Sequence, residues 1–202
     1  MQQLLEGYHL FRATYFFRHR DMFGQLAQRQ SPKTMVISCC DSRVDPGLIF
    51  NAQPGEIFTL RNVANLVPPF SPDDSYHGTS AAIEFAVVNL KVERIVILGH
   101  TRCGGVRALL GDHEGDFIGP WMRIAEPART RSIGQCGDAP LSEVQRYCEL
   151  ETLRISLQNL RTFPWIRTAV EAGRLKLLAW QFNIEEGELL GLNEETGQFE
   201  PL

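Results

Sequence analysis

Buried strands alternate with helices along this chain, and that order leaves few folds open to it. Thr34-Met35-Val36-Ile37-Ser38 is an apolar run of strand length, and Arg94-Ile95-Val96-Ile97-Leu98 is the clearest strand signal in the sequence. Pro54-Gly55 turns the chain into a further strand at Ile57 to Arg61. From Gly78 to Leu90 the residues Ala81, Ala82, Ile83, Phe85, Ala86, Val87 and Val88 are apolar on nearly all sides, as in a helix covered on both faces. Gly99 ends the strong strand, and Gly104-Gly105-Val106 opens another helix. Strand, helix, strand, helix in this order specifies an α/β fold: a central, mostly parallel β-sheet with right-handed crossovers and helices on both faces.

The two ends of the chain read differently. Residues 4–29 are rich in helix formers and aromatics, among them Leu10, Phe11, Tyr15, Phe16, Phe17, Phe23 and Leu26. An isolated surface helix carries less apolar area, so residues 1–30 are expected to form an N-terminal helical arm that packs on something, such as another subunit. Further on, Ser142 with Gln145 reads as a capping box before a long helix with Leu150, Leu153, Leu157 and Leu160 in one stripe, interrupted at Pro164. Leu175 to Asn183 and Glu188 to Leu192 flank Glu185-Glu186-Gly187, the pattern of a C-terminal strand hairpin closing the sheet edge. No repeat, low-complexity tract or linker divides the 202 residues, so a single domain over 1–202 is expected.

Composition narrows the partners. A hydrophobic share of 44% against 22% charged excludes a disordered or coiled-coil chain. The 20 Lys and Arg face 24 Asp and Glu with the signs interspersed, which argues against nucleic acid and anionic membrane as partners. Met1 to Phe17 lacks the basic start and unbroken apolar stretch of a signal peptide, and no run approaches the ~20 apolar residues of a membrane span. A cytoplasmic location is therefore expected, where Cys39, Cys40, Cys103, Cys136 and Cys148 would stay free of disulfides.

Two of those cysteines stand at strand ends. Cys39 follows Thr34 to Ser38, and Cys103 lies just past Gly99 with His100 between them. The carboxyl ends of neighbouring strands in an open α/β sheet converge on one crevice, so Cys39, His100 and Cys103 can meet there. Two thiolates and an imidazole suit zinc, and three protein ligands leave a fourth position for water, whereas a structural site is closed by four. Taken singly, a Cys at a strand end behaves as a small hydrophobe. What lifts these three is the neighbourhood: Asp41 and Arg43 put a carboxylate and a guanidinium beside one ligand, and Gly104-Gly105 lets backbone approach closely. Cys136 and Cys148 have no such setting and read as core or surface thiols.

Cys39-Cys40-Asp41-Ser42-Arg43 and His100-Thr101-Arg102-Cys103 resemble the paired Cys-x-Asp-x-Arg and His-x-x-Cys signatures of the β-class carbonic anhydrases, in that family's order. Arg61 to Val67, Gly78 to Glu84 and Gly99 to Val106 also look like family segments, and Gln53-Pro54-Gly55-Glu56 with Val67-Pro68-Pro69-Phe70 is most similar to the plant-type branch. The resemblance implies reversible hydration of CO2 to bicarbonate and a proton by zinc-bound hydroxide, with one Zn2+ per chain on Cys39, His100 and Cys103. It makes Asp41 and Arg43 a catalytic dyad, in which Arg43 keeps Asp41 ionised to accept a hydrogen bond from the nucleophile. Phe58, Val63 and Phe85 would line the substrate pocket, Gln30 would donate a hydrogen bond to substrate or product, and the Gly104 N–H would sit near zinc. Part of that pocket comes from a second subunit in the family, which implies a homodimer or a dimer of dimers.

Some positions depart from the family pattern. Phe85 replaces a usual tyrosine, Cys40 replaces a small residue, and Asn89 stands where a histidine has been proposed in proton transfer, leaving His77 and His113 as the other candidates. Val36 replaces the tryptophan of the bicarbonate-inhibited subclass, which argues against a regulatory bicarbonate pocket. Two other activities compete on the same residues: hydrolysis of carbonyl sulfide or carbon disulfide on this scaffold, and a non-catalytic zinc site, for which Asp41 is the only nearby fourth ligand. A redox pair of Cys39 and Cys40 is poorer, since adjacent cysteines form strained disulfides.

Overall fold

The computed structural model describes residues 1–111 and 115–202, which leaves His113 outside the described residues. The chain divides into two compact units, Met1–Ser31 and Pro32–Leu202. The first holds helix α1 (Gln2–Leu10), a π-helical turn (Phe11–Phe16) and helix α2 (Arg20–Leu26). Its aromatic side chains meet each other: Phe11 stacks on Tyr15 with ring centroids 5.7 Å apart, and Phe16 lies 4.9 Å from Phe23. None of its helical residues is buried.

The second unit is built on six strands. In chain order its elements are β1 (Thr34–Cys39), α3 (Pro46–Ile49), β2 (Ile57–Asn62), α4 (Gly78–Glu84), β3 (Arg94–His100), α5 (Gly104–Leu110), α6 (Ile118–Met122), α7 (Glu126–Cys136), α8 (Leu141–Leu160), α9 (Pro164–Glu171), β4 (Lys176–Phe182), β5 (Leu189–Leu192) and β6 (Phe199–Pro201). The sheet order is β2-β1-β3-β4-β5-β6. The first four strands run parallel and the last two are antiparallel, so the expected mostly parallel sheet and its closing hairpin are both present. The sequence reading did not include β6, whose three residues are too short for a periodic signal.

Alternate residues of each strand serve opposite faces. Met35, Ile37, Ile95, Ile97, Leu177 and Ala179 bury one face against helical residues that include Leu153, Leu157 and Leu160 of the predicted stripe. Val36, Val96 and Leu98 bury the other against Ile49, Phe50 and Trp180. Gly99 is needed where β3 passes under α8, because a Cβ there would lie 3.0 Å from a Leu153 methyl.

Two local expectations need correction. Residues 78–90 form α4 and a π-helical continuation (Phe85–Asn89), but only Ile83 and Ala86 are buried, while Phe85 and Val88 are exposed. The helix is covered on one face within this chain. Ser142 and Gln145 form no capping box: Pro140 is the N-cap, no side chain caps the helix, and Ser142 already lies inside the first turn. Gln145 is used elsewhere.

Candidate metal centre

β1 is flanked by β2 on one side and β3 on the other, so the β1–β2 connection goes to one side of β1 and the β2–β3 connection crosses back to the other. Side chains just past the carboxyl ends of β1 and β3 therefore face a common crevice, the place where open α/β sheets hold ligands. Cys39 ends β1 and His100 ends β3, and Cys103 follows in the turn that opens α5. Their ligand atoms all lie within 4.8 Å of one another, the two sulfurs 3.9 Å apart, and all three residues are buried.

The donors fit a metal ion. His100 Nδ1 lies 2.9 Å from the Thr101 carbonyl, which fixes the proton on that nitrogen and leaves Nε2 with its lone pair free. That Nε2 is buried and has no hydrogen-bond partner among the described residues. Such an orphan is costly unless something else takes the lone pair. The two thiols are hydrogen-bond partners at 3.9 Å: that contact, with His100 helping, pulls Cys39 well below the ordinary thiol range despite burial, while the same contact and burial push Cys103 well above it. A dication removes the conflict by binding both sulfurs as thiolates.

Asp41 and Arg43 stand beside this cluster. The guanidinium grips the carboxylate with two donors of one edge, Nε to Oδ1 at 2.9 Å and Nη2 to Oδ2 at 2.7 Å, and the Arg43 backbone N–H adds a third bond at 3.0 Å. The Arg43 side chain holds the Asp41 carboxyl well below the usual carboxylate range, against the effect of burial. Nη2 also donates to the carbonyl of Arg102, a residue in the left-handed region with φ 57°. Asp41 Oδ2 is 3.9 Å from His100 Nε2, close to the cluster but turned to Arg43.

Several residues that shape the site went unassigned in the sequence. Arg61 spreads over the loop after β1, donating to the carbonyls of Cys39 at 3.0 Å, Asp41 at 2.7 Å and Val44 at 3.1 Å, and pairing with Asp45. Asn62 pins the next turn through both directions of its amide with Leu66, and there Ala64 and Asn65 adopt positive φ of 62° and 47°. Glu149 accepts the Cys103 N–H at 2.9 Å, and Gln145 donates to the Cys103 carbonyl at 3.2 Å. All of these act on backbone groups, which no side-chain motif announces. The strand register was the available signal for Arg61, since it pairs with Ser38 one step before Cys39.

The remaining predicted site residues fall in three places. Val63 and Gly104 border the cluster: the Val63–Asn65 turn packs on Gly105, and Gly104 opens α5 with free space where a side chain would stand. Val63 also joins Cys40, Trp121 and Phe117 around a cavity of about 880 Å³. Phe58 and Phe85 pair with each other at 5.9 Å between centroids. Phe58 registers with Met35, four positions before the level of Cys39, or ~13 Å along the strand. Gln30 is exposed at the end of the N-terminal unit. His77 is exposed and bonded to Asp73 at 2.8 Å, and Asn89 is exposed at the end of the π-helical turn.

Residues 34–189 match the carbonic anhydrase family profile. A carbonic anhydrase of Synechococcus elongatus is 32% identical over 200 residues, which span 97% of this chain and 73% of that one. The structure of the β-carbonic anhydrase CcaA superposes with a TM-score of 0.95 at 33% identity, covering 100% of this chain and 92% of the other. One of two tetrameric β-carbonic anhydrases of the ascomycete Sordaria macrospora matches with a TM-score of 0.84 at 29% identity, covering 95% and 96%. Among the described residues no helix is long and apolar enough to cross a membrane.

Proposed function

The chain belongs to the β-class carbonic anhydrases, enzymes that interconvert CO2 and bicarbonate, and from that premise we propose a zinc enzyme holding one Zn2+ per chain on Cys39, His100 and Cys103. The observation that carries the ligand set is the buried, unpartnered His100 Nε2 within 4.8 Å of two sulfurs. Bound there, zinc would supply the Lewis acidity that makes water nucleophilic near neutral pH.

The chain's own residues do the rest. Asp41, kept ionised by Arg43, accepts a hydrogen bond from the attacking water and turns its lone pair toward the carbon of CO2. Arg43 also restrains the carboxylate from becoming a permanent fourth ligand, so one position stays open for chemistry. CO2 is apolar, and the cavity shared by Val63, Trp121 and Phe117 offers it an apolar approach beside Cys40. The Gly104 N–H donates to bicarbonate. Phe58 and Phe85, displaced along the sheet from their own cluster, serve the pocket of a second subunit, in a homodimer or a dimer of dimers. The tetrameric Sordaria relatives support an assembly of this kind.

Stopped-flow CO2 hydration together with zinc analysis tests the reading. Wild type should carry one zinc per chain and be active. Cys39→Ser, His100→Ala and Cys103→Ser should each lose most of the metal and the activity, with Cys136→Ser as the unaffected control. Unchanged zinc in any one variant removes that residue from the set, and an inactive, zinc-loaded wild type overturns the function.

A further inference from the structure

Cys103 is the ligand held least by its own strand. It lies past the end of β3, after the left-handed Arg102, and enters α5 with φ −66° and ψ 121°. Its carbonyl accepts the Arg107 N–H of α5 at 2.9 Å, and its N–H and carbonyl are both held again from α8, some forty residues downstream. Glu149, 4% exposed, accepts the Cys103 N–H on Oε1 at 2.9 Å. Gln145, one helical turn earlier, donates from Nε2 both to that Oε1 at 2.9 Å and to the Cys103 carbonyl at 3.2 Å. The two side chains thus take both polar groups of one residue and are locked to each other.

Packing does not call for this arrangement. Burial pushes the Glu149 carboxyl up, and it is bonded to the backbone of a residue whose thiol must become anionic to hold a dication. An apolar side chain would bury more cheaply. Two bonds to the peptides on either side of one Cα gain little stability, yet they leave Cys103 with χ1 as its main freedom and so aim its sulfur.

We propose that Gln145 and Glu149 form a clamp from α8 that positions Cys103 for the metal, acting through hydrogen-bond geometry on its N–H and C=O. This rests on Cys103 being a ligand. Partners that orient a ligand from outside typically change metal affinity about 10–100-fold when removed, and the clamp belongs in that range. The operative feature is the acceptor oxygen. Gln at 149 retains one, and Ala does not.

The test is zinc affinity by chelator competition, with the visible spectrum of the cobalt-substituted protein reporting thiolate coordination. Glu149→Ala should weaken zinc about 10–100-fold and diminish the thiolate-to-cobalt band. Glu149→Gln should restore both toward wild type. Gln145→Ala, at a half-buried position that tolerates truncation, should weaken zinc in the same direction and covers the case in which Glu149→Ala fails to fold. Wild-type affinity and spectrum in Gln145→Ala or Glu149→Ala, or a Glu149→Gln protein as weak as Glu149→Ala, overturns the clamp. Cys103→Ser separates the two claims: metal lost there with Glu149→Ala unaffected refutes the clamp alone, whereas metal kept there refutes the ligand assignment and the clamp together.

Discussion

The proposed mechanism requires Asp41 to remain both ionised and off the metal, and the bidentate grip of Arg43 suits both needs. Asp41→Asn keeps the shape but can present an amide N–H in place of an acceptor. Losing alignment of a reacting group costs on the order of 100-fold, so Asp41→Asn should retain zinc and lose about that factor in CO2 hydration. Near wild-type rates in the zinc-loaded variant would reduce the dyad to an ion pair capping a loop. Because Asp41 titrates far below neutral, it adds no acid limb between pH 6 and 9, and any rise of rate with pH should persist in Asp41→Asn at lower amplitude. The same lowered pKa bears on stability. The pair's contribution is present at neutral pH and lost as pH falls, so the gap in urea stability between wild type and Arg43→Ala should close below the ordinary carboxylate value of about 3.9. The thiols divide in a similar way. Burial raises Cys148 to about 11, so a thiol reagent at pH 8 should label exposed Cys40 in the native protein and reach Cys148 only after unfolding. Cys39, His100 and Cys103 were legible in the sequence because strand ends converge whatever the loops do. Arg61, Gln145 and Glu149 were not, because their partners are carbonyls and N–H groups whose directions exist only once the chain has folded.

Elements carry the next set of constraints. Uninterrupted apolar runs made β1, β3 and β4 readable, and their parallel pairing followed from the helices between them. Gln145 illustrates the opposite case. Its spacing from Ser142 suits a cap, but Pro140 starts α8 two residues earlier and the amide is turned toward Cys103. Gly104-Gly105 announced a close approach to α5, but that the Val63–Asn65 turn makes it was hidden from sequence alone. A Cβ on Gly105 would meet Ala64 Cβ and Val63 Cγ1, both at 2.9 Å. Alanine there gains up to about 1 kcal/mol in helix propensity. Ala64 is fixed in a left-handed turn and cannot retreat, so the clash should win, with a net loss of about 1–3 kcal/mol in urea denaturation and weakened zinc binding. Leu153 under Gly99 is fully buried at the centre of the core. Leu153→Ala should cost about 2–5 kcal/mol by the same measurement, with zinc binding changed far less than in Gly105→Ala.

At the scale of the whole molecule, apolar surface remains without cover in each unit. Leu4, Leu5, Tyr8, Leu10, Phe11 and Phe17 are exposed in the N-terminal unit, and Val63, Phe85 and Val88 in the second. A second copy of the chain is the partner the proposed pocket calls for. Light scattering should find a dimer or a multiple of one at micromolar concentration, and removal of residues 1–31 should lower solubility or activity. A fully active monomer would contradict this. The division of the ligands between two strands also bears on how the protein is made. Cys39 precedes Cys103 by 64 positions, roughly 3–13 s at synthesis rates of 5–20 residues per second. During that interval the adjacent thiols of Cys39 and Cys40 have left the ribosome or are leaving it, with neither His100 nor β3 yet available to them. On the proposed ligand set, zinc is held only once β3 has been laid beside β1, because Cys39 alone supplies a single donor. On that same set, an oxidant would therefore strike unfinished chains, whose Cys39 and Cys40 are both uncovered, ahead of folded molecules in which Cys39 and Cys103 are buried.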